Sequence, residues 1–335
     1  MDGVDPTACR VTELDALATT LARHPHVTGK RDIDVVCGAL NLVQNSPGRP
    51  GDDAAALPDA EGWQLMATEG FMNEFVADAP WFAGWCAVMV NISDIAAMGG
   101  RATAVTNALW APDEAIAMEI LKGLAAASAA YDVPIVGGHS NLRTDRPQLA
   151  AAILGRAKAL ITSFDATPGD VLIAAVDLRG HYPGDSDNFP AFMGVDPARL
   201  RGDLALLPEL AEAGLVHAGK DISQGGIAGT ALMLAECSGV GIEIDVHAIP
   251  LPEGTSLSRW MTTFPSFGFL LAAQAENVQD ICARFAARDI SVAEIGTVNS
   301  GNSLALVDGG DRAQVWNYAS HPYLGLAPTV ETFDA

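Results

Sequence analysis

Four acidic residues stand at positions suited to a divalent cation and phosphate. Asp53 follows Gly51-Asp52 in the loop stretch NSPGRPGDD (45–53), just before an apolar run. Glu69 follows the strand pattern 63–68 in Thr68-Glu69-Gly70, and strand ends in α/β folds are common ligand positions. Asp94 interrupts an apolar helix pattern from Pro80 to Met98, with Asn91 three residues earlier on the same face. A carboxylate there costs several kcal/mol, roughly, unless an Arg pairs with it or a metal binds it. Asp221 opens Asp221-Ile222-Ser223-Gln224-Gly225-Gly226, where a polar loop from Lys220 runs into a helix start. Unpaired N–H groups of Gly225 and Gly226 at such a start would suit an anion. Gly137-Gly138 read as a tight turn after a strand, freeing backbone N–H groups for the same purpose, with His139-Ser140-Asn141 following. Carboxylate oxygens suit Mg2+, and Mg2+ with fixed N–H donors is the equipment of phosphoryl transfer. His139 is the candidate general base, because imidazole exchanges protons near neutrality. Taken singly, each feature has a plain structural reading: turn-forming acids, a helix salt bridge, ordinary glycine pairs.

The elements that position these residues follow from periodicity and punctuation. Residues 14–23 read as an amphipathic helix led by Thr12, 63–68 as a strand, and 80–98 as a helix closed by Gly99-Gly100. A strand at 101–110, a helix at 112–131 and strands at 133–136 and 148–157 complete a split βαβ order. A second pass begins near Pro168-Gly169-Asp170. It has strands at 171–176, 242–245, 267–274, 292–298 and 303–307, and helices at 203–213, 226–238 and 278–287. The expectation is an α/β (α+β) chain in two halves, 1–160 and 161–335.

The composition narrows the function. Among 335 residues, 41 acids against 19 Lys and Arg give a formal charge of −22, which repels nucleic-acid backbones and anionic lipid. Only Lys30, Lys122, Lys158 and Lys220 supply lysine. The five cysteines form no CxxC pair and read as reduced core thiols. There is no basic, apolar leader and no stretch long enough to span a bilayer, so a cytoplasmic protein is expected. His24 and His26 flank Pro25 and read as surface residues. No Walker loop, GxGxxG, GxSxG or HExxH occurs.

In order, GDDAAAL, ATEG, VNISDIAAMGG, VGGHSN, DISQGG and GTALMLAECSGVGIEID resemble the AIR synthase-related (PurM-like) ATP-dependent superfamily across roughly residues 50–310. Members include aminoimidazole ribonucleotide synthetase, thiamine-monophosphate kinase, selenophosphate synthetase and the hydrogenase maturation factor HypE. The resemblance implies a two-domain PurM-like fold, an N-terminal α/β domain that dimerises through its strands and a C-terminal α/β domain, with ATP and Mg2+ in the cleft between them. It implies metal binding by Asp53, Asp94, Asp221 and Glu69. Nucleotide contacts would come from Thr68, Asn91, Gly137, Gly138, Ser223, Gly225 and Gly226, and from Lys30 on an N-terminal phosphate-binding segment. His139 and Gln224 stand where the thiamine-monophosphate kinase pattern has acids, and no cysteine sits in the glycine-rich N-terminal motif of selenophosphate synthetase. The implied protein is a distinct subfamily acting on its own small polar substrate as a homodimer. The alternatives are a non-catalytic nucleotide-binding partner subunit and a divergent thiamine-monophosphate kinase. The loop 181–189 and Ser266-Phe267-Gly268 are the expected substrate segments.

Overall fold

The computed structural model describes residues 13–46 and 48–328; Cys9 and Thr12, the expected helix cap, lie outside them. The chain folds around two sheets. The first contains β1 (Ala55–Asp59), β2 (Gly62–Gly70), β3 (Arg101–Trp110), β4 (Ile135–Asn141) and β5 (Gln148–Ala157), in the order β1-β2-β5-β3-β4. Only β3 and β4 run parallel, joined by the helical crossover that the split βαβ reading expects. β6 (Val171–Val176), β8 (Ala218–Asp221), β9 (Gly241–Asp245), β11 (Gly268–Ala273), β12 (Ser291–Asn299), β13 (Ser303–Asp308) and β14 (Asp311–Asn317) form the second sheet, ordered β14-β13-β9-β12-β6-β11-β8. Two short strands, β7 (Asn188–Phe189) and β10 (Phe264–Pro265), pair beside it. An α/β (α+β) fold is what the sequence pattern implies.

The helix Pro80–Ala97 links the two halves. Every residue from 83 to 97 is buried, as a helix apolar on all sides requires. It packs on β2, β3 and β5, and also touches β8 and the helix Leu206–Glu212 of the second half. The helix Glu114–Tyr131, capped by Asp113, lies against it through reciprocal glycines. A Cβ on Gly84 would sit 2.1 Å from the Ile120 carbonyl, and one on Gly123 would sit 2.0 Å from that of Trp81. The close approach therefore depends on both residues lacking a side chain.

Three expectations need correction. Residues 137–141 are not a turn: β4 continues through them, and Gly138 is required because a Cβ would lie 2.1 Å from the Asn107 carbonyl of β3. Residues 218–221 are a buried strand rather than a polar loop, paired with β11, and Lys220 finds its partners in distant segments. The helix expected at 203–213 is two helices, Pro197–Leu204 and Leu206–Glu212. Helices at Pro25–Thr28, Asp32–Leu40 and Leu42–Asn45, together with β1 and β14, are additional elements. The helix Glu13–Arg23 inserts Leu14, Ala18 and Leu21 into the core of the second half, so this segment packs away from the first sheet. Cys37, Cys86 and Cys237 are buried, and all four described cysteines are free thiols. Among the described residues, no helix is long and apolar enough to cross a membrane.

Candidate functional site

A cleft of about 420 Å³ opens between the halves, and the acids foreseen as metal ligands converge on it. The loop 51–53 supplies Asp52 and Asp53, the end of β2 supplies Glu69, the central helix supplies Asp94, and β8 supplies Asp221. Glu69 reaches the cleft by strand alternation, sharing the inner face of β2 with Leu65 and Ala67. Thr68 shows the opposite side to solvent with Gln64 and Met66, so it does not face the cleft.

Five carboxylates thus meet two ammonium groups, those of Lys30 and Lys220. Lys220 is buried and acts as a clasp. Its Nζ donates to Asp53 Oδ1 at 2.5 Å, to Ser163 Oγ at 3.1 Å and to the Gly51 carbonyl at 3.2 Å. The Asp221 N–H donates to Asp53 Oδ2 at 3.2 Å, and the Ser163 N–H donates to Asp52 Oδ1 at 2.6 Å. Burial pushes the Asp52 carboxyl up to about 6, against the opposing pull of Lys220.

Among the described residues no arginine pairs with Asp94, and only Lys220 opposes its surrounding negative charge. Burial first, then the neighbouring Asp221, Glu69 and Asp53, hold its carboxyl well above the usual range. Burial and then Asp53 do the same to Asp221. Burial raises Glu69, although Lys30 opposes it. Asp94 Oδ2 is buried without a hydrogen-bond partner, and so is Asn91 Oδ1, one helical turn away. Such orphaned oxygens each cost about 1–3 kcal/mol. Unpartnered carboxylate oxygen, excess negative charge and an all-oxygen donor set fit a hard cation such as Mg2+.

The other predicted residues separate. Lys30 and Ser223 line the cleft, and Lys30 Nζ donates to Ser223 Oγ at 3.2 Å. Asn91 stays in the core, donating from Nδ2 to the Ala87 carbonyl at 2.9 Å, and does not line the cleft. Gly137, Gly138 and His139 lie on the exposed edge strand β4 rather than at the acids. The His139 ring instead neighbours Trp110, with centroids 6.0 Å apart, so a general base at the cleft is not supplied by His139. Gly225 and Gly226 do not line the cleft, and the N–H of Gly226 is already used. The Gly226 N–H donates to the Ser223 carbonyl at 2.9 Å and the Ala228 N–H to that of Met261 at 3.1 Å. With φ of +62°, Gly226 serves the tight turn into the helix, where a Cβ would meet the Met261 carbonyl at 2.5 Å.

Of the expected substrate segments, 181–189 reaches the cleft through Asp187 and Asn188. Ser266 does not; its Oγ accepts the Ala191 N–H at 2.8 Å. Sequence reading missed Lys220, Asp52, His26 and an apolar wall of Phe71, Phe75 and Phe264. The scarcity of lysine was an available signal, since two of only four lysines line this cleft.

The sequence pattern of the AIR synthase related protein, N-terminal domain, matches residues 51–157, and that of the corresponding C-terminal domain matches residues 168–309. An uncharacterised Synechocystis protein is 45% identical over 301 residues, covering 89% of this chain and 94% of its own. A thiamine-monophosphate kinase of Synechococcus elongatus is 32% identical over 234 residues, covering 62% of this chain and 70% of its own. The fold resembles that of T. maritima PurL complexed with ADP, with a TM-score of 0.74 at 18% identity over 96% of this chain; the match spans 53% of PurL.

Proposed function

The chain belongs to the AIR synthase related protein family, and from that premise we propose that it binds Mg·ATP in the acidic cleft and transfers or activates phosphate on a small substrate. The observation that carries this reading is the orphaned carboxylate oxygen of Asp94 among Glu69, Asp221 and Asp53. Asp94, Asp221 and Glu69 would hold Mg2+, with Asp53 contributing while clasped by Lys220. When bound, the ion would neutralise phosphate charge and orient the transferring group. Lys30, near enough to oppose the raised pKa values of Glu69 and Asp221, would serve as the cation for a phosphate oxygen, and Ser223 orients its ammonium group. The apolar wall at Phe71, Phe75 and Phe264 suits the non-polar part of a nucleotide or substrate and excludes water.

Calorimetric titration with a non-hydrolysable ATP analogue tests the reading. Saturable binding that requires Mg2+ is the expected result; no binding with Mg2+ present would sink it. Gln224 in the cleft and the distance of His139 from it favour a second reading, a nucleotide-binding partner subunit without transfer. Rapid stoichiometric ADP release with any small substrate would exclude that alternative, and phosphorylation of thiamine monophosphate would identify a divergent kinase of that substrate.

We also place the division between the halves near residue 160 and infer a cytoplasmic homodimer. The buried free thiols favour a reducing compartment. The outer face of the first sheet favours self-association, for Met66 pairs across β2–β5 with Leu154, and both are about half exposed. Small residues Ala152 and Ala150 continue that face along β5. Sedimentation velocity should find a dimer, and Leu154→Glu should yield a monomer. A monomeric wild type would refute this assembly.

A further inference from the structure

We propose a second metal site at the cleft, formed by His24, His26 and Asp187 and selective for borderline divalent ions such as Zn2+ or Co2+. One donor atom from each lies within 4.8 Å of the others, the sole such group of three among the described residues. None of Asp53, Glu69, Asp94 and Asp221 belongs to this group. His26 Nδ1 and Asp187 Oδ2 stand 3.6 Å apart, too far for a hydrogen bond. That separation suits two ligands each about 2.0–2.1 Å from one shared ion.

Both ligand-bearing segments are held from behind. Pro25 opens the short helix that carries His26, with His24 as its cap. The His26 backbone N–H donates to His24 Nδ1 at 3.3 Å, a long bond that His24 would give up for the ion, with its ring proton kept on Nε2. The two rings stand in a T-shaped arrangement, with centroids 5.0 Å apart. The Tyr323 hydroxyl donates to the Val27 carbonyl at 2.7 Å, fixing that helix to the C-terminal segment. On the other side, the Asp187 carbonyl accepts the Phe264 N–H at 2.9 Å, while Arg259 holds the Ser186 carbonyl at 2.9 Å.

Imidazole nitrogen suits Zn, Ni, Cu and Fe, whereas carboxylate and water suit Mg2+. The cleft therefore offers a hard, all-oxygen cluster and a nitrogen-rich one. His26 and Asp187 both lie on the cleft wall. Three protein ligands leave a position for a further donor. A molecule in the cleft carrying a thiolate, amine or carboxylate can fill it, which defines a substrate class by its metal-coordinating group.

The test uses the tag-free full chain, without nucleotide and in excess Mg2+, titrated with ZnCl2 and, separately, Co2+. One equivalent should bind, with visible Co2+ absorption of low coordination number and imidazole scattering at the Zn absorption edge. Asp187→Asn, a nearly isosteric change in a loop, and His26→Ala should each weaken Zn2+ binding by about 100-fold or more, at least the loss produced by outer-shell changes. Asp94→Asn should leave Zn2+ binding intact. No saturable binding, unchanged affinity in Asp187→Asn, or loss in Asp94→Asn instead would overturn the site. If His26→Ala fails to fold, Asp187→Asn decides. Because no nucleotide is present, failure here is separate from failure of Mg·ATP binding.

Discussion

Replacing Asp94 by Asn is expected to weaken Mg2+-dependent nucleotide binding by about 100-fold or more while making the metal-free protein more stable at pH 8. Both effects arise from one geometry. Asp94 lies near the end of a helix buried from Ala83 onward and is close to Asp221, Glu69 and Asp53, with no arginine among the described residues to pair with it and only Lys220 opposing. Burial and those acids raise its pKa, so the folded chain binds more protons than the unfolded chain. Stability then falls as pH rises from the ordinary carboxylate value of about 3.9 through the raised folded value. Asp221 adds to the same trend, being raised by burial and Asp53. Asn at 94 cannot ionise, so the variant loses less stability between pH 5 and pH 8. In the wild type, Mg2+ at 100 times its Kd adds about 2.7 kcal/mol by mass action. The variant should show little of that gain. Thermal unfolding at the two pH values, in chelator and in Mg2+, reads both effects. A full Mg2+ response in Asp94→Asn would remove this residue from the ion. A variant less stable than wild type at pH 8 without metal would mean that the acids do not repel one another as argued.

The sequence made the acids legible for different reasons. Asp94 stood out because a carboxylate inside an apolar helix demands a partner, and Glu69 because it closes a strand pattern. Neither argument needs the rest of the fold. The glycine motifs misled because the same residue type serves both a turn and a crowded strand. At Gly138 the deciding neighbour is the Asn107 carbonyl, 31 residues distant in sequence and brought close only by the β3–β4 register. Thr68 and Glu69 were grouped as neighbours although strand alternation sends them to opposite faces. Lys220-Asp221 looked like polar loop because nothing local satisfies the ammonium group. Its partners, Asp53 and Ser163, are 167 and 57 positions away. His26 looked like a surface residue because the aspartate facing it belongs to a loop in the other half. Local chemistry was readable; partners supplied by tertiary structure were not.

Lys220→Met is expected to produce the largest stability loss of any single change at this site, about 3–5 kcal/mol at pH 8. Lys220 is 3% exposed in its side chain and Asp53 is 7% exposed, so solvent screens their contact little. Methionine matches the length of the stem, but it leaves Asp53, the Gly51 carbonyl and Ser163 Oγ without the ammonium donor. The stranded carboxylates then bear the cost of burial alone. Lys220 is itself raised in pKa, chiefly by Asp53 and Asp52 against the opposing effect of burial. A raised lysine contributes fully below its unfolded value near 10.4, so its own charge is constant between pH 5 and pH 8. The pH dependence of the deficit comes from its partners. With Lys220 present the Asp52 carboxyl is raised to about 6, and without that ammonium group it moves higher still, so the variant takes up this proton first and the deficit should shrink toward pH 5. Adding Asp53→Asn to Lys220→Met should recover a substantial part of the loss, because a neutral amide replaces the stranded charge. Urea unfolding of the two single variants and the double variant at pH 5 and pH 8 provides the coupling energy directly. A loss below about 1 kcal/mol, the scale of an exposed pair, would mean that the clasp does not bind the 51–53 loop to β8.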